Sequence, residues 1–388
     1  MVVVHTEGHP ELTSKDNIGT GATGAPARDR TGSGGVVVRA GAEDTEGTGG
    51  QASTSGDGTL SSLKITALAG GVGAARLLRG MVEVVKPSNV TAIVNTADDT
   101  VLHGLHISPD LDTITYTLAG LVDVERGWGL SGESWTVMES LASLGGDTWF
   151  QLGDRDIATH MLRTDMLNRG MSLSAVTETL RMRHGIMTRI LPMSDDRVQT
   201  RLTLAGSGEE IGFQEYFVKL AHSVEVGKIA YQGAGSAAAA PGVIEALEYA
   251  DVIVICPSNP FLSIFPILAL KDVKQALQGR QATMKAKTVA ISPIIAGKAL
   301  KGPADRLLVE MGVTANVAGV AGLYKDIAST LVMDDQDARL QDDIEAIGMR
   351  CVTTDTIMRD INASRALARE AIEAALETVS LARRGNNG

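Results

Sequence analysis

The chain is short of cysteine, aromatic side chains and positive charge, and each shortage removes a class of function. Cys256 and Cys351 are its two cysteines, which excludes a disulfide framework and a cysteine zinc site. Cys256 sits in the apolar run "DVIVICP", where a thiol reads as a small core side chain. Aromatic residues make up 3%, too few for the stacking platforms of a single-strand nucleic-acid binder. Net charge is −11 and no dense Lys/Arg cluster exists, which argues against a nucleic-acid backbone or an anionic membrane surface as partner. No apolar run reaches 18 residues, so no spanning helix is expected. The lack of a disulfide framework makes cytoplasmic residence the expectation.

Hydrophobic residues reach 44%, enough for a sizeable core in one large domain or two. The first 60 residues differ from the rest. They hold 13 of the 43 glycines, eight acids against four basic residues, and no aromatic. Such a composition buries too little apolar surface to offset its ordering entropy. A disordered low-complexity tail is expected over 1–62 and a folded domain over 63–388. The tail has neither a signal-peptide nor a transit-peptide pattern. A translation start near Leu63 is another reading of the same boundary.

From Lys64 the pattern alternates strand and helix. "KITALA" (64–69) ends in Gly70-Gly71, "AARLLRGMVEVV" (74–85) has helical spacing, and "TAIVN" (91–95) is the next strand. "VGKIAYQG", "DVIVICPSNP", "KTVAISPII", "STLVMDD" and "MRCVTTD" follow, with a long C-terminal helix over 364–384 capped by Asn362 or Ser364. Two stretches interrupt the alternation. Residues 130–187 are helical throughout, and 198–220 read as a β-hairpin around Gly206-Ser207-Gly208. The expected fold is α/β: a Rossmann-like, mostly parallel sheet with helices on both faces, plus a helical and hairpin insertion.

Ligands of such sheets bind outside the carboxyl ends of the strands. The residues that follow the strands are "GGVGAAR", "NTADD", "PMSDD", "PSNP" and "SPII", all small, polar or acidic. Gly70, Gly71 and Gly73 form a strand-to-helix turn that lets backbone approach a ligand and offers helix N–H groups to an anion. It is not a Walker A loop, and Arg76 breaks the G-x-G-x-x-G pattern that a nicotinamide-dependent oxidoreductase needs. Asp98, Asp99, Asp110 and Asp112 lie within fifteen residues, and hard cations such as Mg2+ take one or two carboxylates plus phosphate oxygens. Asp110 serves equally well as an N-cap, and Asp112 as a first-turn charge. Asp154 or Asp156 opens a further helix, with Thr159 and His160 within two turns; capping alone accounts for those acids. "Ser194-Asp195-Asp196" fits a turn, whereas the two prolines around Ser258-Asn259 fix an unusual loop where ligands bind. His103 and His106 lack zinc-site spacing.

In this order the motifs resemble the 2-phospho-L-lactate transferases (CofD/FbiA type) of coenzyme F-420 biosynthesis. The stretches that carry the resemblance are "ALAGGVGAARLLRG", "AIVNTADDTVLHGLHISPDLDTITYTLAG", "LGDRDIATHMLRTDML", "ILPMSDD", "FQEYFVK", "PSNPFLSI" and "AISPIIAGKALKGPA", and it runs from about Lys64 to about Arg383. The resemblance implies an Mg2+-dependent transferase of the substituted-phosphate class and a homodimer. The terminal ribityl hydroxyl of the deazaflavin Fo would attack the outer phosphate of a guanylyl diphosphate donor carrying lactate, enolpyruvate or a phosphoglyceryl group, and GMP would leave. It implies Asp99 and Asp112 as metal ligands and Gly70, Gly71 and Gly73 as the turn around deazaflavin and phosphates. Asn95, Thr96 and His103 would share that wall, Ser258 and Asn259 would meet the guanosine side, and Ser194 and Asp195 would bind substrate. Asp154, Arg155 and Thr159 would face the cleft, with Arg155 as an extra positive charge on the migrating group. Asp98 or Asp99 would take the hydroxyl proton, unless the metal lowers that hydroxyl's pKa directly. The competing reading is a nucleotide-sugar-binding regulatory protein of the YvcK type.

Overall fold

A computed structural model describes residues 57–282 and 287–385. The expectation of a tail over 1–62 falls outside these residues as far as position 56. The described chain opens with a short helix, Asp57–Ser61, whose Leu60 is buried.

Seven strands form one wholly parallel sheet: β1 (Ile65–Ala69), β2 (Val90–Val94), β3 (Arg189–Pro192), β4 (Val252–Ile255), β5 (Thr288–Ile291), β6 (Thr330–Asp334) and β7 (Arg350–Thr354). They lie in the order β7-β6-β5-β4-β1-β2-β3. β1 pairs with β2 on one side, Ile65 opposite Val90, and with β4 on the other, Ile65 opposite Val252. The strand order therefore reverses between β1 and β4, and the crevice of a doubly wound sheet opens there.

Period-two alternation sends β1 side chains to two cores. Ile65, Ala67 and Ala69 meet Leu77, Leu78 and Met81 of helix α1 (Gly71–Met81) and Leu367, Ala371 and Ile372 of the C-terminal helix Ile361–Gly385. Leu68 faces the opposite core with Ile253, Ile255 and Leu247. On that side the Thr66 hydroxyl donates to Ala246 O at 2.7 Å, so a polar side chain is satisfied within a buried layer. Gly80 sits where α1 crosses the C-terminal helix; a Cβ there would lie 2.2 Å from Ser364 C. Asp360 Oδ1 accepts from Ala363 N at 2.9 Å and caps that helix, in place of the expected Asn362 or Ser364.

Helix α2 (Pro109–Leu118) precedes the stretch expected as the insertion, which holds α3 (Thr136–Ser143), α4 (Asp154–Asn168) and α5 (Leu173–Arg183). Helical structure over 130–187 is thus present. The hairpin around Gly206-Ser207-Gly208 joins Gln199–Leu204 to Glu210–Gly212, and a wide helical turn, Glu215–Lys219, takes up its expected second half. Val226–Gln232 is a correction: it completes this small antiparallel sheet and does not join the central one. A two-strand ribbon, Thr100–Leu102 with Leu105–Ile107, has no counterpart in the sequence reading. Its turn is built on His103 at φ 52 and Gly104 at φ 78, and only the glycine advertises such a turn.

Candidate active site

A cleft of about 1370 Å³, its open mouth included, lies over the β1/β4 switch point. The loops after β1, β2, β4, β5 and β7 all reach it. Its floor is made by the glycine turn and Pro257–Asn259, and one side carries Phe150, Phe213 and Phe217.

The glycines are required first by packing. A Cβ on Gly73 would stand 2.5 Å from Pro257 O, and one on Gly70 would stand 2.7 Å from both Asp110 Oδ2 and Ser263 Cβ. Gly71 has φ +71, which side chains avoid. Ser258 Oγ donates to Gly70 O at 2.7 Å and ties the β4 loop to the turn. Asn259 Oδ1 accepts from Phe261 N and Leu262 N at 3.0 and 3.2 Å and reverses the chain. Ser258 and Asn259 both line the cleft.

Asn95, fully buried, organises the acids. Its amide donates to Asp110 Oδ2 at 3.0 Å, to Asp98 Oδ1 at 3.3 Å and to Leu262 O at 3.4 Å, and its Oδ1 accepts from Ala97 N at 2.9 Å. Asp110 Oδ1 accepts from Gly71 N at 2.7 Å. Asp110 is therefore in the first turn of its own helix and caps α1 instead. Burial, and then the charges of Asp110 and Asp99, hold the Asp98 carboxyl well above the usual carboxylate range. Burial likewise raises Asp110, although Asn95 and the Gly71 N–H pull it back. Burial raises Asp99 against a 2.6 Å hydrogen bond from Ser108 and the charge of Arg163. Asp99 Oδ1 is buried without a hydrogen-bond partner among the described residues.

The structure does not place the expected metal pair, Asp99 and Asp112, on the wall of this cleft. The acids on the cleft wall are Asp98 and Asp110. Both oxygens of Asp112 are taken by the Arg163 guanidinium, Oδ2 at 3.1 Å from Nη1 and Oδ1 in a close contact with Nη2. Arg163 is 2% exposed, so this pair is buried between α2 and α4. Asp112 opens instead on a smaller cavity with Tyr116, Asp156 and His160. Tyr116 donates its hydroxyl to Asp156 at 2.6 Å there.

Several further residues sit elsewhere. Asp154 accepts from Ser134 Oγ (2.6 Å), Thr136 N (3.1 Å) and Val137 N (3.0 Å) and so caps α3; these donors lower its pKa, the Ser134 hydroxyl first. Its own helix is capped by Glu133, which accepts from Arg155 N and Asp156 N at 2.8 and 2.9 Å. Arg155 is exposed and donates to Ser131 O at 2.5 Å, away from the cleft and from both neighbouring acids. Thr159 lies beside the Tyr116 hydroxyl, outside the cleft. Ser194 donates to Ala238 O at 2.6 Å, and Asp195 accepts from Ser174 N and Oγ at 2.6 and 2.8 Å, so "PMSDD" fastens loops at the β3 edge. Thr96 is buried in the turn after β2, and its carbonyl accepts from Asp99 N at 3.2 Å. His103 is exposed at its ribbon tip.

The sequence reading passed over Arg76, Gln214, Lys301 and the phenylalanines of the cleft. Gln214 Nε2 donates to Asp98 O at 2.8 Å and fixes that loop. Phe213 and Phe217 stack with centroids 5.3 Å apart, four residues apart across the wide helical turn. Arg76 was visible as the residue that spoils the glycine fingerprint, and its position one turn into α1 aims it at the same cleft.

The model of the family described as 2-phospho-L-lactate transferase CofD matches residues 65–376. The chain belongs to this family. Among its relatives, the phosphoenolpyruvate transferase of Streptomyces griseus is 45% identical over 319 residues, 81% of this chain and 99% of that protein. The phosphoenolpyruvate transferases of Kitasatospora aureofaciens and Streptomyces coelicolor are 43% and 41% identical over 80% and 81% of this chain and 97% and 99% of theirs. Among solved structures, protein BH3568 of Bacillus halodurans superposes with a TM-score of 0.52 at 19% identity, covering 80% of this chain and 99% of that one. A second structure of it, described as a member of the UPF0052 family, gives 0.52 at 17%, over the same 80% and 99%. At such identity the likeness is one of fold. The CofD family is a transferase family, and no helix among the described residues is long and apolar enough to cross a membrane.

Proposed function

We propose that the protein transfers an enolpyruvyl-phosphate group from a guanylyl diphosphate donor to the ribityl hydroxyl of Fo in coenzyme F-420 biosynthesis. The hydroxyl oxygen bonds to the outer phosphorus, the bond to the inner phosphate oxygen breaks, and GMP leaves; the product is a phosphodiester. The names of the relatives favour enolpyruvate over the lactyl and phosphoglyceryl alternatives. The observation that carries the reading is the pair of buried carboxylates, Asp98 and Asp110, on the wall of a cleft at the switch point.

That donor set fits Mg2+. Two carboxylates are buried side by side, each raising the cost of charging the other, and a divalent cation relieves that repulsion. Asp98 and Asp110 would hold it, with the half-buried Asp99 as a further acid nearby. A bound Mg2+ would neutralise phosphate charge and lower the pKa of the attacking hydroxyl. The chain's own residues do the positioning. Asn95 fixes both carboxylates, Gln214 holds the Asp98 backbone, and the Ser258–Gly70 bond keeps the floor closed. Phosphoryl-type transfer asks mainly for such placement. We also propose the homodimer that the family resemblance implies. Nothing favours the YvcK-type regulatory reading, since the related structures share fold alone.

The test is to incubate the full chain with Fo, Mg2+ and each of the three donors in turn. GMP and a modified Fo are expected in equal amounts, fastest with the enolpyruvyl donor. Absence of GMP with all three would end the transferase reading.

A further inference from the structure

Besides the two acids the cleft carries two cations that the sequence reading left without a role. Arg76 projects from the second turn of α1 and is half-buried. Its Nη1 makes one long hydrogen bond, 3.4 Å, to Met358 O. Lys301 comes from the loop after the short ribbon Ile294–Ile295 with Lys298–Ala299. Among the described residues neither is ion-paired with a carboxylate, although the chain has 46 acids.

Other arginines with restricted exposure behave differently. Arg163 is held by Asp112, Arg126 by Asp123 and two tryptophan rings, and Arg306 by Glu310. Two cations on one wall repel: burial, and then the charge of Arg76, lowers the pKa of Lys301. A guanidinium and an ammonium left unpaired side by side in a cleft are the arrangement that awaits an anion. The two acids that line the same cleft are held by Asn95 and the Gly71 N–H, and neither forms an ion pair with Arg76 or Lys301 among the described residues. The cleft thus carries charges of both signs, and a ligand that satisfies it offers negative charge to Arg76 and Lys301.

We infer that Arg76 and Lys301 form an anion clamp that holds carboxylate or phosphate oxygens of the donor, in the cleft that Asp98 and Asp110 also line. This inference rests on the transferase reading above. On that reading the donor offers two anionic groups, a diphosphate and the carboxylate of its acid. The clamp binds one of them and so positions the donor; it takes no part in bond making or breaking.

The experiment uses the full chain and the variants Arg76→Met, Lys301→Met and Arg76→Lys. Calorimetry with GDP and Mg2+ reads binding of the diphosphate alone, and steady-state assays with the enolpyruvyl donor and Fo separate KM from kcat. Each methionine variant should raise donor KM about tenfold with a smaller change in kcat, and Arg76→Lys should recover part of the loss. A parallel loss of GDP affinity assigns the clamp to phosphate, and unchanged GDP affinity with raised donor KM assigns it to the carboxylate. Lys301 is exposed and its replacement leaves the core intact, so that variant keeps the test decisive if Arg76→Met fails to fold. If the wild type neither binds GDP nor turns over the donor, the transferase reading fails and takes the clamp with it. If the wild type is active and Lys301→Met changes neither quantity by more than about twofold, the clamp alone is overturned.

Discussion

Asn95 shows how one neutral side chain gathers two of four neighbouring aspartates. It holds Asp98 and Asp110 together on the cleft wall, while Ser108 takes Asp99 and Arg163 takes Asp112. Removing charge from the last pair leaves a buried guanidinium without its partner. Asp112→Asn should therefore lower stability by about 3 kcal/mol, read as a shift of the urea midpoint at unchanged m. An Asp112→Asn protein as stable as the wild type would contradict the structural role. The acidic strand end was legible in "NTADD" and "PDLDT"; which acids share a wall was not. Within a helix, residues two apart point about 200° from each other. Asp110 and Asp112 both lie in α2, so they face opposite ways and cannot close on one ion. The expected pair was Asp99 with Asp112, and whether a loop residue and a helix residue converge is a matter of tertiary placement that sequence does not show.

Several helix caps in this protein come from outside the helix they cap. Asp110 caps α1, Asp154 caps α3, Glu133 caps α4, and Asp195 supplements Ser172 on α5. Sequence shows which residues can cap, but a cap supplied from another element depends on tertiary placement. The same limit explains Val226–Gln232, whose apolar pattern suits either sheet. The strands of the central sheet were legible because they are buried on both faces and bounded by glycine, proline or polar turns. At this scale one close approach bears on the site, that of α1 to the β4 loop. Gly73→Ala places a methyl against the Pro257 carbonyl, which is backbone and cannot swing aside. A loss of roughly 1–3 kcal/mol in chemical unfolding is expected, together with weaker donor binding. A Gly73→Ala protein with wild-type stability and donor affinity would show that the approach is not needed.

Across the whole molecule, the switch point, the glycine turn and the acidic wall coincide, and the fold makes them one site. Its protonation is linked to its stability. Asp98, Asp99 and Asp110 bind protons more tightly folded than unfolded, where carboxylates titrate near about 4. Their contribution is fully present below that pH and is lost as pH rises through the raised folded values. A divalent cation competes with those protons. The rise in Tm on adding Mg2+ should thus be larger near about pH 8 than near about pH 5, and Asp98→Asn should shrink it. A calorimetric shift independent of pH would count against a carboxylate site.

The most direct test of the account is Mg2+-dependent release of GMP from the enolpyruvyl donor by Asp110→Asn. Asparagine keeps the oxygen that accepts from Gly71 N but sets its amide against Asn95 Nδ2, so a circular dichroism spectrum like that of the wild type is the control that the variant folds. The account predicts that it loses at least about a hundredfold in kcat/KM, some 2.7 kcal/mol of transition-state stabilisation. Wild-type turnover by the folded variant would contradict the placement of the reaction on the Asp98–Asp110 wall.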